Sequence, residues 1–205
     1  MMRSMKGIPK RLTYSELRNW PDDGQRYELI EGELFVNGEK SLVPPRPGDM
    51  GLTMAHSSSP QHQLVSSRLF VSLYLHIESH KLGRVFYGPV DIVFGETTVL
   101  QPDILFVSSA RQDIISTDYI AGAPDLVVEI LSRGRAIYDQ VSKFEKYVMN
   151  SVGEYWMIDP TAGNVEIYAL TGSRYEPRGT FTGDAILKTP LLPGWELPVK
   201  DLFSP

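Results

Sequence analysis

The sequence predicts a mixed α/β (α+β) fold, a central mixed β-sheet flanked by helices, gathered into one domain. Helix-like and strand-like stretches alternate in the order helix, strand, helix, three strands, helix, strands. Hydrophobic residues make up 42% and charged residues 22% of the 205 positions, an ordinary globular balance that supports one sizeable core. No apolar run approaches the roughly 20 residues that span a bilayer, and the opening "MMRSMKGIPKRL" lacks the apolar segment of a signal peptide. Cysteine is absent, which excludes disulfides and thiolate metal sites. The expectation is a soluble cytoplasmic protein with no membrane partner. A net charge of -5 argues against a protein that coats nucleic acid. It leaves room for an enzyme that meets phosphates through a local site and a bound cation.

"TYSELRNWP" opens with a capping-box pair, Thr13 and Glu16, and stops at Trp20-Pro21, which predicts a short helix. "RYELIEGELFVN", residues 26–37, reads as a strand or hairpin with Gly32 at a bulge or turn. Residues 38–59 are rich in Gly, Pro and Ser and read as a long loop. A helix begins at Ser59-Pro60, with Ser as cap and Pro in the first turn. Val65, Leu69, Leu73 and Ile77 give it one apolar face, and Gly83 is the expected stop. Three strand-like runs follow at 84–94, 99–107 and 125–131, then a helix over roughly 136–149. "EYWMIDP" and "NVEIYAL" form a predicted hairpin, Tyr155 and Trp156 being core aromatics and Asp159-Pro160 a turn starter. "PLLPGWELPV" adds one or two short strands.

Two of these strands carry an acid among apolar neighbours, Asp103 in "QPDILFV" and Glu129 in "PDLVVEIL". A carboxylate is seldom placed in a dry core without a partner, because desolvating the charge costs several kcal/mol. Taken singly, each acid has an ordinary explanation. Asp103 follows Pro102 and fits a strand edge, and Glu129 has Lys143 or Arg84 as a candidate ion-pair partner. Taken together on neighbouring strands, the two side chains lie about 5 Å apart and repel unless a cation joins them. Mg²⁺ or Mn²⁺, with Asp103, Glu129 and the carbonyl of Ile130 as ligands, resolves the conflict and suits phosphodiester hydrolysis. Downstream, Asp139, Lys143 and Tyr147 recur at spacing four on one helix face. Lys143 is either half of a solvated pair with Asp139 or a cation directed at the acids, with Lys146 as the alternative. Asp91 is a further inward acid or a strand-end hydrogen-bond acceptor.

"YELIEGEL", "SPQHQLVSSRL", "VLQPDILFVS", "PDLVVEILS", "DQVSKFEKYVMNSVGEYWMIDP" and "VEIYAL" together resemble the successive blocks of the Uma family of restriction-endonuclease-like proteins, in the PD-(D/E)XK nuclease superfamily. The resemblance runs from Tyr27 to Leu170. It implies a restriction-endonuclease-like domain over 1–205 with a short N-terminal helical extension, 1–25, and metal-dependent cleavage of DNA. By position it makes Asp103 the acid of the PD element and Glu129 the acid of the (D/E)XK element. That element's lysine falls at Leu131, so Lys143 on the following helix is the candidate. The family's early acid is Glu28 or Glu31, and Gln101 and His62 match positions that line the site. The family's proline-containing turn after the "E-x-L-S" strand is replaced by "SRGRAIY", where Arg133 and Arg135 offer phosphate contacts.

The resemblance thus implies a Mg²⁺- or Mn²⁺-dependent endonuclease acting on DNA, and a homodimer is expected of a nuclease that cuts both strands. The missing lysine at 131 and the acidic charge motivate a rival, a catalytically inactive nuclease-fold module that binds DNA or a protein partner. Hydrolysis of a small phosphoester is a third reading.

Overall fold

The computed structural model describes residues 11–20, 24–41, 59–132 and 137–204, with side chains from 141 in the last segment. Most of the predicted 38–59 loop, Arg133, Arg135 and the side chain of Asp139 lie outside the described residues.

In chain order the elements are α1 (Tyr14–Leu17), β1 (Tyr27–Ile30), β2 (Glu33–Val36), β3 (Glu39–Lys40), α2 (Pro60–His80), β4 (Gly83–Tyr87), β5 (Ile92–Gly95), β6 (Thr98–Leu100) and β7 (Ile104–Ser108). A 3-10 segment, Ser109–Ile114, leads to β8 (Ile120–Ala121), β9 (Leu126–Ile130), α3 (Ile137–Met149), β10 (Glu154–Asp159), β11 (Asn164–Thr171), β12 (Arg174–Thr182), β13 (Ile186–Leu187), β14 (Leu197–Pro198) and α4 (Val199–Phe203).

The central sheet has the order β12-β11-β10-β9-β7-β4 and is mixed, because β9 and β10 run parallel while the other neighbours are antiparallel. The helix α3 makes the connection that a parallel pair requires. All five residues of β9 are buried, as expected for a strand covered on both faces. On one face Val65, Leu69, Leu73 and Ile77 of α2 pack against Ile104, Phe106, Leu126, Val128 and Ile130. The opposite face carries Leu105, Val107 and Val127 against Tyr147 of α3 and Tyr155.

A second six-stranded sheet, β3-β2-β1-β6-β5-β8, stands beside the first and contributes Ile30, Phe35, Ile92 and Leu100 to that second core. It explains the main difference from the sequence reading. The runs 84–94 and 99–107 look continuous, yet each is divided between the two sheets, β4 from β5 and β6 from β7. Both breaks contain a proline, Pro89 and Pro102, which has no N–H for a ladder. Asp103 therefore stands at a crossover rather than inside a strand.

Local signals explain the remaining elements. Thr13 and Glu16 cap α1 reciprocally, and Tyr14 and Leu17 bury against Leu29, Leu34 and Val99 of the second sheet. Glu31 and Gly32 form the two-residue turn of the β1–β2 hairpin with φ of 54° and 77°. Ser59 caps α2 by accepting the His62 N–H at 3.2 Å. Left-handed Lys81, rather than Gly83, ends that helix. Gly83 is needed for another reason, since a Cβ there would lie 2.1 Å from the Val107 carbonyl oxygen. The predicted β10–β11 hairpin pairs Asp159 with Asn164, and Asp159 accepts the N–H groups of Thr161 and Ala162 at 2.7 and 3.0 Å. The long strand β12 escapes the sequence reading because Pro177 and Gly179 interrupt it, a tolerable defect on a sheet edge with a register shift.

Candidate active site

The candidate site lies where the two sheets exchange strands, between the N-terminal end of α2 and the buried face of α3. Period-two alternation sets Arg26 and Glu28 on one side of the β1 segment, with Ile30, facing the central sheet. Continuing the β7–β9 register, in which Ile104 pairs with Val128, sets Asp103 across from Glu129. Lys143 and Tyr147, one turn apart on α3, project toward Glu129. Glu28, Asp103, Glu129, Lys143 and His62 are all at most 5% exposed.

The charged groups form two linked sets. In the first, Lys143 Nζ lies 2.8 Å from Glu28 Oε1 and 3.2 Å from Glu129 Oε1. The Tyr147 hydroxyl donates to the same Glu129 oxygen at 2.8 Å, and the Gln101 N–H donates to Glu28 Oε1 at 2.7 Å. In the second, Asp103 Oδ1 accepts from Arg26 at 3.1 Å, while Oδ2 faces His62 Nε2 at 3.3 Å and accepts the Ile130 N–H at 2.8 Å. Arg26 also donates to the Gln101 carbonyl, which ties the sets together.

Burial opposes ionisation of both Asp103 and Glu28, and in both the local donors win. The hydrogen bond from His62, the Arg26 charge and the Ile130 N–H hold the Asp103 carboxyl well below the usual range. Lys143, Arg26 and the Gln101 N–H lower that of Glu28. Desolvation works against the Arg26 charge too, but the carboxylates of Asp103, Glu28 and Glu129 more than offset it and keep the guanidinium charged. Tyr147 is pushed up by burial and by Glu129, so it stays a hydrogen-bond donor. Asp91 behaves differently. Burial raises its pKa, and it takes the Gln101 Nε2–H at 2.7 Å.

Of the residues singled out from sequence, Glu28, Asp103, Glu129, Lys143, His62 and Gln101 come together. Ile130 joins through its N–H to Asp103. Glu31 and Lys146 do not join them; they pair with each other at 2.5 Å, Glu31 on the exposed hairpin turn. Arg26 was missed by sequence reasoning, although its place two residues before Glu28 at a strand start was a usable signal.

Glu28, Asp103 and Glu129 offer hard oxygen donors of the kind Mg²⁺ and Mn²⁺ take. Gln101 Oε1 is buried with no hydrogen-bond partner among the described residues, a further oxygen at a place rich in acceptors. These donors suit a divalent cation in chemical type. In this arrangement Lys143 and Arg26 supply the positive charge, and among the described residues no three acidic or imidazole groups are grouped to hold an ion.

The mixed central sheet and its flanking helices form a nuclease-like fold. Residues 49–200 match the family described as Uma2, putative restriction endonuclease, and the chain belongs to that family. The match includes His62, Gln101, Asp103, Glu129 and Lys143 and begins downstream of Glu28. A solved structure described as a putative nuclease belonging to DUF820 from Anabaena variabilis ATCC 29413 is similar, with a TM-score of 0.71 and 23% identity over 94% of this chain and 98% of that one. At that identity the likeness speaks for the fold. A comparison with curated proteins finds no match. No helix among the described residues is long and apolar enough to cross a membrane.

Proposed function

We propose that this chain is a divalent-metal-dependent endonuclease that hydrolyses phosphodiester bonds of DNA. The observation that carries the reading is the burial of Glu28, Asp103 and Glu129 around Lys143 and Arg26, in a chain of the Uma2 family. Three acids kept inside a core at the cost of desolvation are held either for structural pairing or for chemistry, and the family match supports chemistry.

Asp103 and Glu129, with Glu28 and the carbonyl of Ile130, would hold Mg²⁺ or Mn²⁺. When bound, such an ion activates a water and polarises a phosphoryl oxygen. The chain's own residues do the rest. Lys143, bridging Glu28 and Glu129, orients the attacking water and stabilises charge developing on the phosphate. Arg26, His62 and the Ile130 N–H fix the Asp103 carboxylate, and Tyr147 fixes that of Glu129. Gln101 plays the same part for Glu28. The homodimer expected of an enzyme that cuts both strands belongs to the same proposal and is read by light scattering.

The test is nicking of supercoiled plasmid in Mg²⁺ or Mn²⁺ against EDTA, with Asp103→Asn and Glu129→Gln as folded controls. Metal-dependent nicking by the wild type and its loss in both variants is expected. A wild type that neither binds Mn²⁺ by calorimetry nor cuts any DNA form ends the proposal.

One observation favours the inactive-module reading. Each carboxylate already has a protein cation beside it, and Leu131 stands where the family lysine falls. Salt-dependent DNA binding that ignores both metal and Asp103→Asn would support it. Turnover of a small phosphoester, but not of a polynucleotide, would support the third reading.

A further inference from the structure

Beside the acids, on the α2 side of the crossover, lies a cavity of about 130 Å³ whose walls include Arg26, His62, Ser66, Tyr87 and Asp103. A water's share of liquid volume is about 30 Å³, so the space suits about four waters or one tetrahedral oxyanion. Its walls hold more polar groups than the protein satisfies. Ser66 is 1% exposed, yet among the described residues its hydroxyl has no hydrogen-bond partner. A helical serine commonly folds its hydroxyl back onto the carbonyl one turn earlier, and this one does not. His62, one turn before it on α2, presents Nε2 to Asp103, which turns Nδ1 away from that carboxylate. That Nδ1 is also buried and without a partner among the described residues. Two residues that line one cavity thus each carry an unpaired buried polar atom, which calls for something that pairs them.

We propose that this cavity is a phosphate subsite, taking a phosphate group between the Arg26 guanidinium and the Ser66 hydroxyl. The guanidinium spends one N–H on Asp103 and another on the Gln101 carbonyl and has further donors, in the planar fork that matches a phosphate. Asp103 turns both its oxygens to Arg26, His62 and the Ile130 N–H, so it does not compete for the Ser66 hydroxyl, and the Arg26 charge beside it offsets its own. Tyr87, 38% exposed, stands at the rim and leaves a way in. Because the subsite shares Arg26 and Asp103 with the candidate active site, a nucleic-acid strand seated there runs beside that site. That assignment to a backbone phosphate rests on the nuclease reading; the binding of phosphate does not.

The experiment is done in EDTA, without cleavage. Inorganic phosphate, and separately a thymidine dinucleotide with no terminal phosphate, are titrated into the full chain. The readouts are the His62 imidazole signals by ¹⁵N NMR and the melting temperature. Saturable shifts of His62 and a rise in melting temperature are expected. Ser66→Ala, which removes an unpaired hydroxyl, keeps or raises the melting temperature without phosphate and weakens phosphate binding about tenfold. Arg26→Lys, which keeps the charge and loses the fork, weakens it further. Binding of both probes assigns the subsite to a backbone phosphate, and binding of inorganic phosphate alone assigns it to a terminal one. The proposal is overturned if neither probe moves His62, or if Ser66→Ala binds phosphate as tightly as the wild type. A chain that binds phosphate here but cuts no DNA keeps the subsite and loses the nuclease. A chain that cuts DNA with His62 unmoved does the reverse.

Discussion

Lys143 Nζ stands 2.8 Å from the Glu28 carboxylate, joining α3 to the β1 hairpin by an ion pair that solvent does not reach. The same ammonium serves Glu129 at 3.2 Å, so one cation bridges acids from two sheets. Removing one partner of a buried pair leaves an uncompensated charge and costs about 3–5 kcal/mol. Lys143→Met should lower unfolding stability by about that amount in urea titrations. Adding Glu28→Gln and Glu129→Gln should recover most of the loss, since the stranded charges go with it. A triple variant no more stable than Lys143→Met would mean that the cost lies in packing of the lysine stem.

The acid side of the stability profile follows from Asp103 and Glu28. In the unfolded chain Asp titrates near about 3.9 and Glu near about 4.3; in the folded protein both are held lower. Below those unfolded values the unfolded chain binds more protons, so stability falls with pH. The contribution of the two acids is complete well above about pH 4.3 and is lost as pH drops toward the folded values. Asp91 works in the opposite sense, its carboxyl raised by burial, and its contribution fades as pH rises through its folded value. Urea midpoints between pH 3 and 6 should decline steeply in the wild type and less in Asp103→Asn. Equal slopes would remove Asp103 from the account.

Much of this arrangement was legible in the sequence. The apolar faces of α2 and β9 fixed what is buried, and an acid set among such residues had to be either paired or functional. Asp103 and Glu129 stand out for that reason, whereas Lys143 enters only through its spacing on α3 and the family resemblance. What escaped depends on tertiary pairing. Period two does not reveal that Gln101 and Pro102 end one strand and that Ile104 begins another in a different sheet. Nor could spacing choose between Glu28 and Glu31 as the early acid. The choice of which joins the cluster falls to the hairpin turn, where Glu31 takes a positive φ and turns out to Lys146. Arg26 looked like a residue before a strand, and only the crossover of Asp103 gives it a partner.

Gly88 tests whether that crossover positions Asp103. Its N–H donates to the Asp103 carbonyl at 2.8 Å, and a Cβ there would lie 2.4 Å from the Pro102 oxygen. The neighbour is backbone, so Gly88→Ala must displace the segment carrying Asp103. A stability loss of about 1–3 kcal/mol is expected, with a larger proportional loss of nicking than any global unfolding explains. Gly95→Ala, where a Cβ meets nothing within 4 Å, is the control and should leave both unchanged. Nicking by Gly88→Ala at the wild-type rate would show that Asp103 tolerates the shift.

The last prediction asks whether the lysine and a metal compete for one pair of acids. In the wild type Lys143 already lies between Glu28 and Glu129, so a divalent ion gains little there in the resting arrangement. In Lys143→Met both acids lose their common counterion, and their burial and mutual repulsion then favour taking up a proton or a divalent cation. Mg²⁺ or Mn²⁺ should then bind more tightly and stabilise the variant more than the wild type. Ligand at 100 times its dissociation constant adds about 2.7 kcal/mol, enough to return most of what the substitution removed. Melting temperatures across a Mg²⁺ titration read this directly. Glu129→Gln added to Lys143→Met should abolish the extra rise, because one oxygen donor set is gone. If the variant and the wild type rise in parallel, the ion binds elsewhere, and Glu28 and Glu129 serve only as anchors for Lys143.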